Sequence, residues 1–345
     1  MRKINTVGIV SLSSGILGES FMKHEVDLGL KRMEELGLKV KFAPNALKGA
    51  DYLRDHPEAR AADFMEVFRD PEIDLIMTAI GGDDTYRLLP YLFKNGELAA
   101  AIRGNEKPFL GFSDTTVNHL MLHKLGLPSF YGQAFLTELC ELGPEIPPYS
   151  LQYFEELIET GRISSVRPSP VWHENRGSFG PEQLGVPLVS HPNKGFELLQ
   201  GPAIFRGKIL GGCVDTFFDI FDGGRYADSP AVCAEYGIFP PAEDWRGRIL
   251  LLETSEEKPT PERYREALLH LKAAGVFEAV SGILVGKPQD ECYDREYRAI
   301  LTEAVDDPAK PILWNLAVGH AAPRCIIPFG VEAEVDAEKQ EIRFV

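Results

Sequence analysis

Apolar and polar positions follow two rhythms along the first third of the chain. Val7 to Leu12 is a mostly apolar run closed by Ser13, Ser14 and Gly15, which predicts a buried strand and a turn. Val26, Leu30 and Met33 then recur at helical spacing in a charged segment that Gly37 closes, so the spacing predicts an amphipathic helix carrying those three on its inner face. Leu38 to Ala43 alternates apolar and basic residues and reads as a second short strand. Ala61, Phe64, Val67 and Phe68 mark another amphipathic helix, stopped at Asp70-Pro71. Asp74 to Ile80 is a parallel-type strand running into Gly81-Gly82; Leu88 to Phe93 is helical, and Phe109 to Phe112 is a further strand. This alternation predicts a parallel sheet with helices on both faces, whose ligands sit beyond the carboxyl ends of the strands.

From about Arg162 to Gln200 the rhythm is lost. Pro168, Pro170, Pro181, Pro187 and Pro192 interrupt a glycine-rich polar stretch, which reads as a crossover between two domains. Regular patterns return from Gly207. Ile249 to Leu252 is a strand ending at Glu253, and Pro261 to Ala274 is a helix with Tyr264, Ala267, Leu268 and Leu271 on one face. Val280 to Val285 and Ile312 to Leu316 are strands, and Glu332 to Val345 alternates as a closing hairpin. The boundaries expected are 1–165 for a nucleophile domain, 166–206 for the crossover and 207–345 for a second, mixed α/β domain.

Length agrees with two domains, because 345 residues exceed the roughly 250–300 at which one core stops growing. Thirty-six basic residues against 52 acidic ones leave a net charge of −16, which removes the basic footprint that nucleic acid or an anionic membrane requires. The five cysteines form no CxxC pair, so a reducing compartment and small buried side chains are expected. The start of the chain turns from basic to apolar, but the apolar run is too short for a signal peptide and no run is long enough to span a bilayer. A cytoplasmic protein without nucleic-acid or membrane partners is expected.

The chemistry concentrates where strands end. In Pro108-Phe109-Leu110-Gly111-Phe112-Ser113-Asp114-Thr115-Thr116, an apolar run meets a glycine, a serine and a helix start. That order describes a strand, a sharp turn and a helix with Ser113 at the apex, the geometry of a nucleophilic serine. Among eight histidines, His119 and His123 lie four apart on the following helix but have no third metal ligand nearby. His320 follows Gly319 on a loop after a strand, where it is either structural or a base for Ser113. Glu253, directly after four aliphatic residues, is either a turn cap or the group that orients an imidazole. Gly81-Gly82 is an ordinary turn or, through the Gly82 and Asp114 N–H groups, an oxyanion hole. No dinucleotide fingerprint follows the first strand, and there is no phosphate-binding P-loop.

These segments resemble a known family. Ala79-Ile80-Gly81-Gly82-Asp83-Asp84-Thr85-Tyr86-Arg87-Leu88-Leu89-Pro90, Gly111-Phe112-Ser113-Asp114-Thr115-Thr116, Lys208-Ile209-Leu210-Gly211-Gly212-Cys213 and Gly319-His320 are similar to motifs of the LD-carboxypeptidase/microcin-immunity serine peptidases. The resemblance runs from Val7 to about Phe329. It implies an α/β fold with a Rossmann-like parallel-sheet N-terminal domain, a smaller β-rich C-terminal domain and a homodimer, with neither metal nor organic cofactor. It also implies a triad of Ser113, Glu253 and His320, with Gly82 and Asp114 as oxyanion donors and Gly81 and Asp83 near the substrate. One branch removes D-alanine from murein tetrapeptides; the other cleaves the bond joining an aminoacyl carboxyl to a modified adenylate. The long segment 162–200 resembles the expanded loop of the second branch. Phe196 stands where immunity proteins usually carry an adenine-stacking tryptophan, and Trp172 is the alternative platform. The expected partner is therefore a small-molecule or short-peptide substrate. An adenylate-sequestering protein without catalysis is the reading from outside the enzymes.

Overall fold

A computed structural model describes residues 3–345. The chain divides into two compact units. The first holds residues 1–162, 176–187 and 231–238, and the second holds residues 163–175, 188–230 and 239–345.

In the first unit, β1 (Thr6–Val10), β2 (Lys39–Phe42), β3 (Leu75–Thr78), β4 (Phe109–Gly111) and β5 (Ser129–Tyr131) lie in the order β5-β4-β3-β1-β2. Every neighbouring pair among them is parallel. β1 and β3 are buried along their whole length, as strands covered on both faces must be. The helix Pro57–Arg69 begins with proline at its first turn, where no N–H is needed, and buries Ala61, Phe64, Val67 and Phe68 as the spacing predicted.

The first helix differs from expectation in its inner face. It spans Lys23–Glu35 and buries Glu25, Gly29, Arg32 and Met33, whereas Val26 and Leu30 are only half-buried. The cause is a polar anchor. The Arg32 guanidinium donates to the carbonyls of Leu139 at 3.1 Å, Gly143 at 2.7 Å and Glu141. A buried fork that satisfies three carbonyls outcompetes a purely apolar face for the inner position.

The second unit is built on an eight-stranded sheet. Its strands are β6 (Ser165–Val166), β9 (Glu197–Gln200), β10 (Ile204–Cys213), β11 (Ile249–Glu253), β12 (Gly282–Gly286), β13 (Ile312–Leu316), β15 (Glu332–Asp336) and β16 (Glu341–Phe344). They run in the order β6-β16-β15-β10-β11-β12-β13-β9. A hairpin of β7 (Val171–His173) and β8 (Ser190–Pro192) stands apart from that sheet, and β14 (Ile327–Phe329) follows the loop after β13. β10 changes character midway. Ile204 to Lys208 pairs antiparallel with β15 and alternates exposed with buried, while Ile209 to Cys213 pairs parallel with β11 and is wholly buried. The fold is therefore α/β, with a parallel sheet in one unit and a mixed, β-rich sheet in the other.

The closing hairpin, the strand at Ile249–Glu253 and the inner face of the helix Pro261–Ala273 stand as predicted. The proline-rich stretch is more ordered than its composition suggests, since β6, β7, β8 and β9 all arise from it. Four of the five cysteines are buried and Cys292 is half-exposed. Among the described residues no helix is long and apolar enough to cross a membrane.

Candidate active site

β4 and the helix after it present Ser113. The serine has φ of 67°, a left-handed backbone that costs a non-glycine residue about 1–3 kcal/mol and persists only where its surroundings enforce it. Three contacts do so. The Ser113 N–H donates to the Tyr131 hydroxyl at 3.1 Å, and Thr116 Oγ1 donates to the Ser113 carbonyl at 2.7 Å. Gly81 presses from the neighbouring strand end: a Cβ placed on it would lie 2.6 Å from Ser113 Cβ and 2.8 Å from Ser113 Oγ. Only glycine leaves room for the hydroxyl there.

Further contacts hold the residues around Ser113. Asp114 is buried and accepts the Thr85 N–H at 2.9 Å; burial, with Asp84 and Asp83 adding repulsion, pushes its carboxyl up to about 7. Asp83 is half-buried and Gly82 exposed, one residue from Gly81. Beneath them the fully buried Arg60 pairs with Asp84 at 2.5 and 3.1 Å and donates to the carbonyls of Leu12 and Ser13. His119 contacts Ser129 Oγ at 2.7 Å through Nδ1 and the Gly111 carbonyl at 3.0 Å through Nε2, and burial pulls it down to about 3. Both ring nitrogens are committed, so His119 braces the turn as a neutral residue and is no metal ligand.

The second unit holds Glu253 and His320. Glu253 ends β11, opposite Cys213 at the end of β10. Its Oε2 meets His320 Nδ1 at 2.7 Å and also accepts the His320 N–H at 3.2 Å. One carboxylate oxygen thus fixes both the ring and the backbone of the histidine. The loop bearing His320 is closed by the Cys325 N–H on the Ala317 carbonyl at 2.7 Å. Arg324 Nη2 donates to the His320 carbonyl at 2.8 Å, and Gln289 Nε2 reaches the same oxygen at 3.4 Å. On the other ring nitrogen, His320 Nε2 lies 3.0 Å from Glu256 Oε2. Burial opposes a charge on the ring, but Glu253 and then Glu256 outweigh it and push the imidazole up to about 10.

Cys213, Glu253 and His320 bring their donor atoms within 4.8 Å of one another. This is not a metal centre by its chemistry. Burial and the neighbouring carboxylates raise the Cys213 thiol well above its ordinary range, so it is protonated at neutral pH, and Glu253 is already bonded to His320.

The aromatic candidates separate clearly. Phe196 is buried at 5 % exposure, its N–H donating to Gln340 Oε1 at 2.7 Å. Trp172 is half-buried on β7, stacked on His191 at 4.5 Å between centroids, with Lys287 Nζ 5.0 Å from its ring. The His173 N–H donates to the Ala322 carbonyl at 2.8 Å, which ties that hairpin to the loop of His320. Glu256, Gln289 and Arg324 escaped the sequence reading. Glu256 carried a usable signal, since it stands three residues beyond Glu253 in a run of polar residues after a buried strand.

Comparison with known proteins identifies the family. Residues 7–132 match the LD-carboxypeptidase N-terminal domain and residues 206–335 the LD-carboxypeptidase C-terminal domain. An MccF-like protein from Streptococcus pneumoniae, solved in complex with AMP, is 59% identical, covers 99% of each chain and has a TM-score of 0.97. The microcin C7 self-immunity protein MccF of Escherichia coli is 26% identical over 346 residues, spanning 98% of this chain and 92% of its own. The probable murein peptide carboxypeptidase of Bacillus subtilis is 25% identical over 349 residues, spanning 99% and 92%. With both domains matched in order and a near-full-length relative of this similarity, the chain belongs to the LD-carboxypeptidase peptidase family, as an MccF-like member.

Proposed function

We propose that the protein is a serine hydrolase of the microcin-immunity type, cleaving the amide-type bond of an aminoacyl- or peptidyl-adenylate analogue. The observation that carries this reading is Glu253 Oε2 at 2.7 Å from His320 Nδ1. A carboxylate there selects the tautomer whose Nε2 is unprotonated and stabilises the imidazolium that forms later. Ser113, held in a strained turn, is the nucleophile.

In this mechanism Ser113 Oγ attacks the scissile carbonyl carbon while His320 Nε2 takes the hydroxyl proton. The oxyanion rests on the Gly82 and Asp114 N–H groups, donors worth about 3–4 kcal/mol each in comparable enzymes. The tetrahedral intermediate collapses, and His320 returns the proton to the leaving nitrogen. Water then repeats the sequence on the acyl-Ser113 ester. Trp172 is the platform for a nucleobase, with Gly81 and Asp83 lining the acyl side. Residues 1–165 supply the nucleophile, 166–206 the substrate segment and 207–345 the base; a cytoplasmic homodimer belongs to the same proposal.

The AMP complex of the pneumococcal relative supports the nucleotide branch over the murein branch. The B. subtilis relative supports the alternative, release of D-alanine from a murein tetrapeptide. Purified protein offered an aminoacyl sulfamoyl adenosine and an L-Ala-γ-D-Glu-meso-diaminopimelyl-D-Ala tetrapeptide separates the two. Higher kcat/KM on the adenosine compound is expected, and preference for the tetrapeptide overturns the assignment. A sequestering protein would bind the adenosine compound and leave it intact.

A further inference from the structure

Glu256 touches the one atom that the mechanism needs bare. A histidine whose Nδ1–H donates to Glu253 has only a lone pair on Nε2 when neutral, and a lone pair repels a carboxylate oxygen. The 3.0 Å contact between Nε2 and Glu256 Oε2 is therefore a contact of the imidazolium. Base and contact exclude each other: His320 cannot accept the Ser113 proton until Glu256 has let go.

Once released, Glu256 differs from the other carboxylates around it. Glu257 accepts from Arg225 at 2.6 Å, and Asp219 pairs with Arg225 at 3.1 Å. Asp215 accepts the Ser255 N–H at 3.0 Å and faces Arg263 at 3.5 Å. Asp290 accepts from Lys258 at 2.7 Å and from the Asn175 N–H at 2.8 Å. Each of these has a permanent cation. Among the described residues the ion pair of Glu256 is with His320 alone, Arg225 acting on it from farther off while paired with Glu257 and Asp219, and its side chain is 62% exposed on the loop between β11 and the helix Pro261–Ala273.

We propose that Glu256 is a specificity-determining residue that exchanges the His320 imidazolium for a cationic amine of the substrate, the α-ammonium beside the scissile carbonyl of an aminoacyl group. That amine sits one carbon from the reacting centre, within reach of a side chain now touching Nε2. Charge balances in the exchange. Glu256 keeps one cation throughout, His320 Nε2–H gives its proton to solvent, and the neutral base is produced only when a substrate bearing the amine is present. The groups facing His320 within its unit are Glu253, Glu256, the Cys213 thiol, the more distant Asp215 and the Arg324 guanidinium on its carbonyl. Of these, Glu256 alone combines contact with Nε2 and an exposed side chain. Substrates without that ammonium, peptidyl compounds with an acylated α-nitrogen included, leave the pair in place and are cleaved more slowly than aminoacyl ones.

This inference takes its substrate class from the hydrolase reading, and its test needs no turnover. The Ser113→Ala protein is titrated calorimetrically with an aminoacyl sulfamoyl adenosine and with its desamino analogue, in buffers of different ionisation enthalpy at neutral pH. Expected are release of up to one proton with the amine, little with the desamino compound, and about tenfold tighter binding of the amine. Adding Glu256→Gln should abolish both differences while binding of the desamino compound persists. Equal proton release from the two ligands, or differences that survive Glu256→Gln, overturn the proposal, as does failure of both ligands to bind. Amine preference in a protein that never hydrolyses the compound would reject the hydrolase reading and leave Glu256 in its role. Hydrolysis by the wild type without amine preference would do the reverse.

Discussion

Gly319 passes so close to Glu253 that a Cβ on the glycine would lie 2.3 Å from Oε2, the oxygen that holds His320. Gly319 also has φ of 88°. The neighbour of the candidate base is thus glycine for two reasons, space and backbone. Gly319→Ala should displace the carboxylate and lower kcat about 100-fold, the order expected when a positioned group moves by an ångström. It should also destabilise the protein by about 1 kcal/mol or more through the unfavourable φ. Steady-state kinetics with urea denaturation check both; full activity would show that Glu253 does not need its present position.

Gly81→Ala tests Ser113, the proposed nucleophile. Gly81 does not have a left-handed φ, so the cost is steric, against Ser113 Cβ and Oγ. A fall in kcat of about 100-fold with KM little changed is expected. A larger rise in KM than loss in kcat would place Gly81 in substrate binding instead.

The pH profile follows from the carboxylates around His320. Its acidity constant is raised from 6.5 to about 10, so the contribution of its ion pairs to stability is complete below 6.5 and is lost as pH rises through about 10. Activity should run the opposite way, since the neutral ring is the proposed base. For a substrate carrying the α-ammonium, kcat/KM should therefore climb from neutral pH and level off where the amine itself loses its proton, about 8; for the desamino analogue it should climb on toward about 10. With substrate bound and Glu256 displaced, the limb in kcat should lie at lower pH. Glu256→Gln should move the kcat/KM limb down. A kcat/KM profile flat above pH 7 in the wild type contradicts this picture.

Arg60 and Asp84 set the stability of the first half-site. Both are buried and joined by two hydrogen bonds. Asp84→Ala strands the buried Arg60 guanidinium and should cost about 3–5 kcal/mol; Arg60→Leu should cost less, because Arg87 stays 3.7 Å from Asp84. Urea unfolding of the two variants checks it. A loss below about 1 kcal/mol in both would mean that water reaches the remaining charge.

What the sequence revealed and concealed follows from the range of the interactions. The strand, turn and helix at Ser113 were legible because periodicity and punctuation are local, and so were Ile249–Glu253 and the helix Pro261–Ala273. The inner face of Lys23–Glu35 was not, because its anchor is Arg32 reaching carbonyls more than 100 residues away. Ser129–Tyr131 is too short to announce itself, and the strands within 162–200 form by pairing with partners such as β13 and β16 far along the chain. Glu253 and His320 stood out as strand-end residues. Glu256 was passed over as one acid among several, since only the fold shows which nitrogen it meets. Phe196, just before β9, is buried, a property that its loop-like sequence did not announce.

Every role proposed for Glu253, Glu256 and His320 depends on Ser113 acting as the nucleophile of a hydrolase. The direct measurement is hydrolysis of an aminoacyl sulfamoyl adenosine by folded Ser113→Ala protein beside the wild type. Wild type should cleave the compound, and the variant should lose at least about 10⁴-fold in kcat while its circular dichroism and unfolding midpoint are retained. Cleavage by the variant at the wild-type rate would contradict that role.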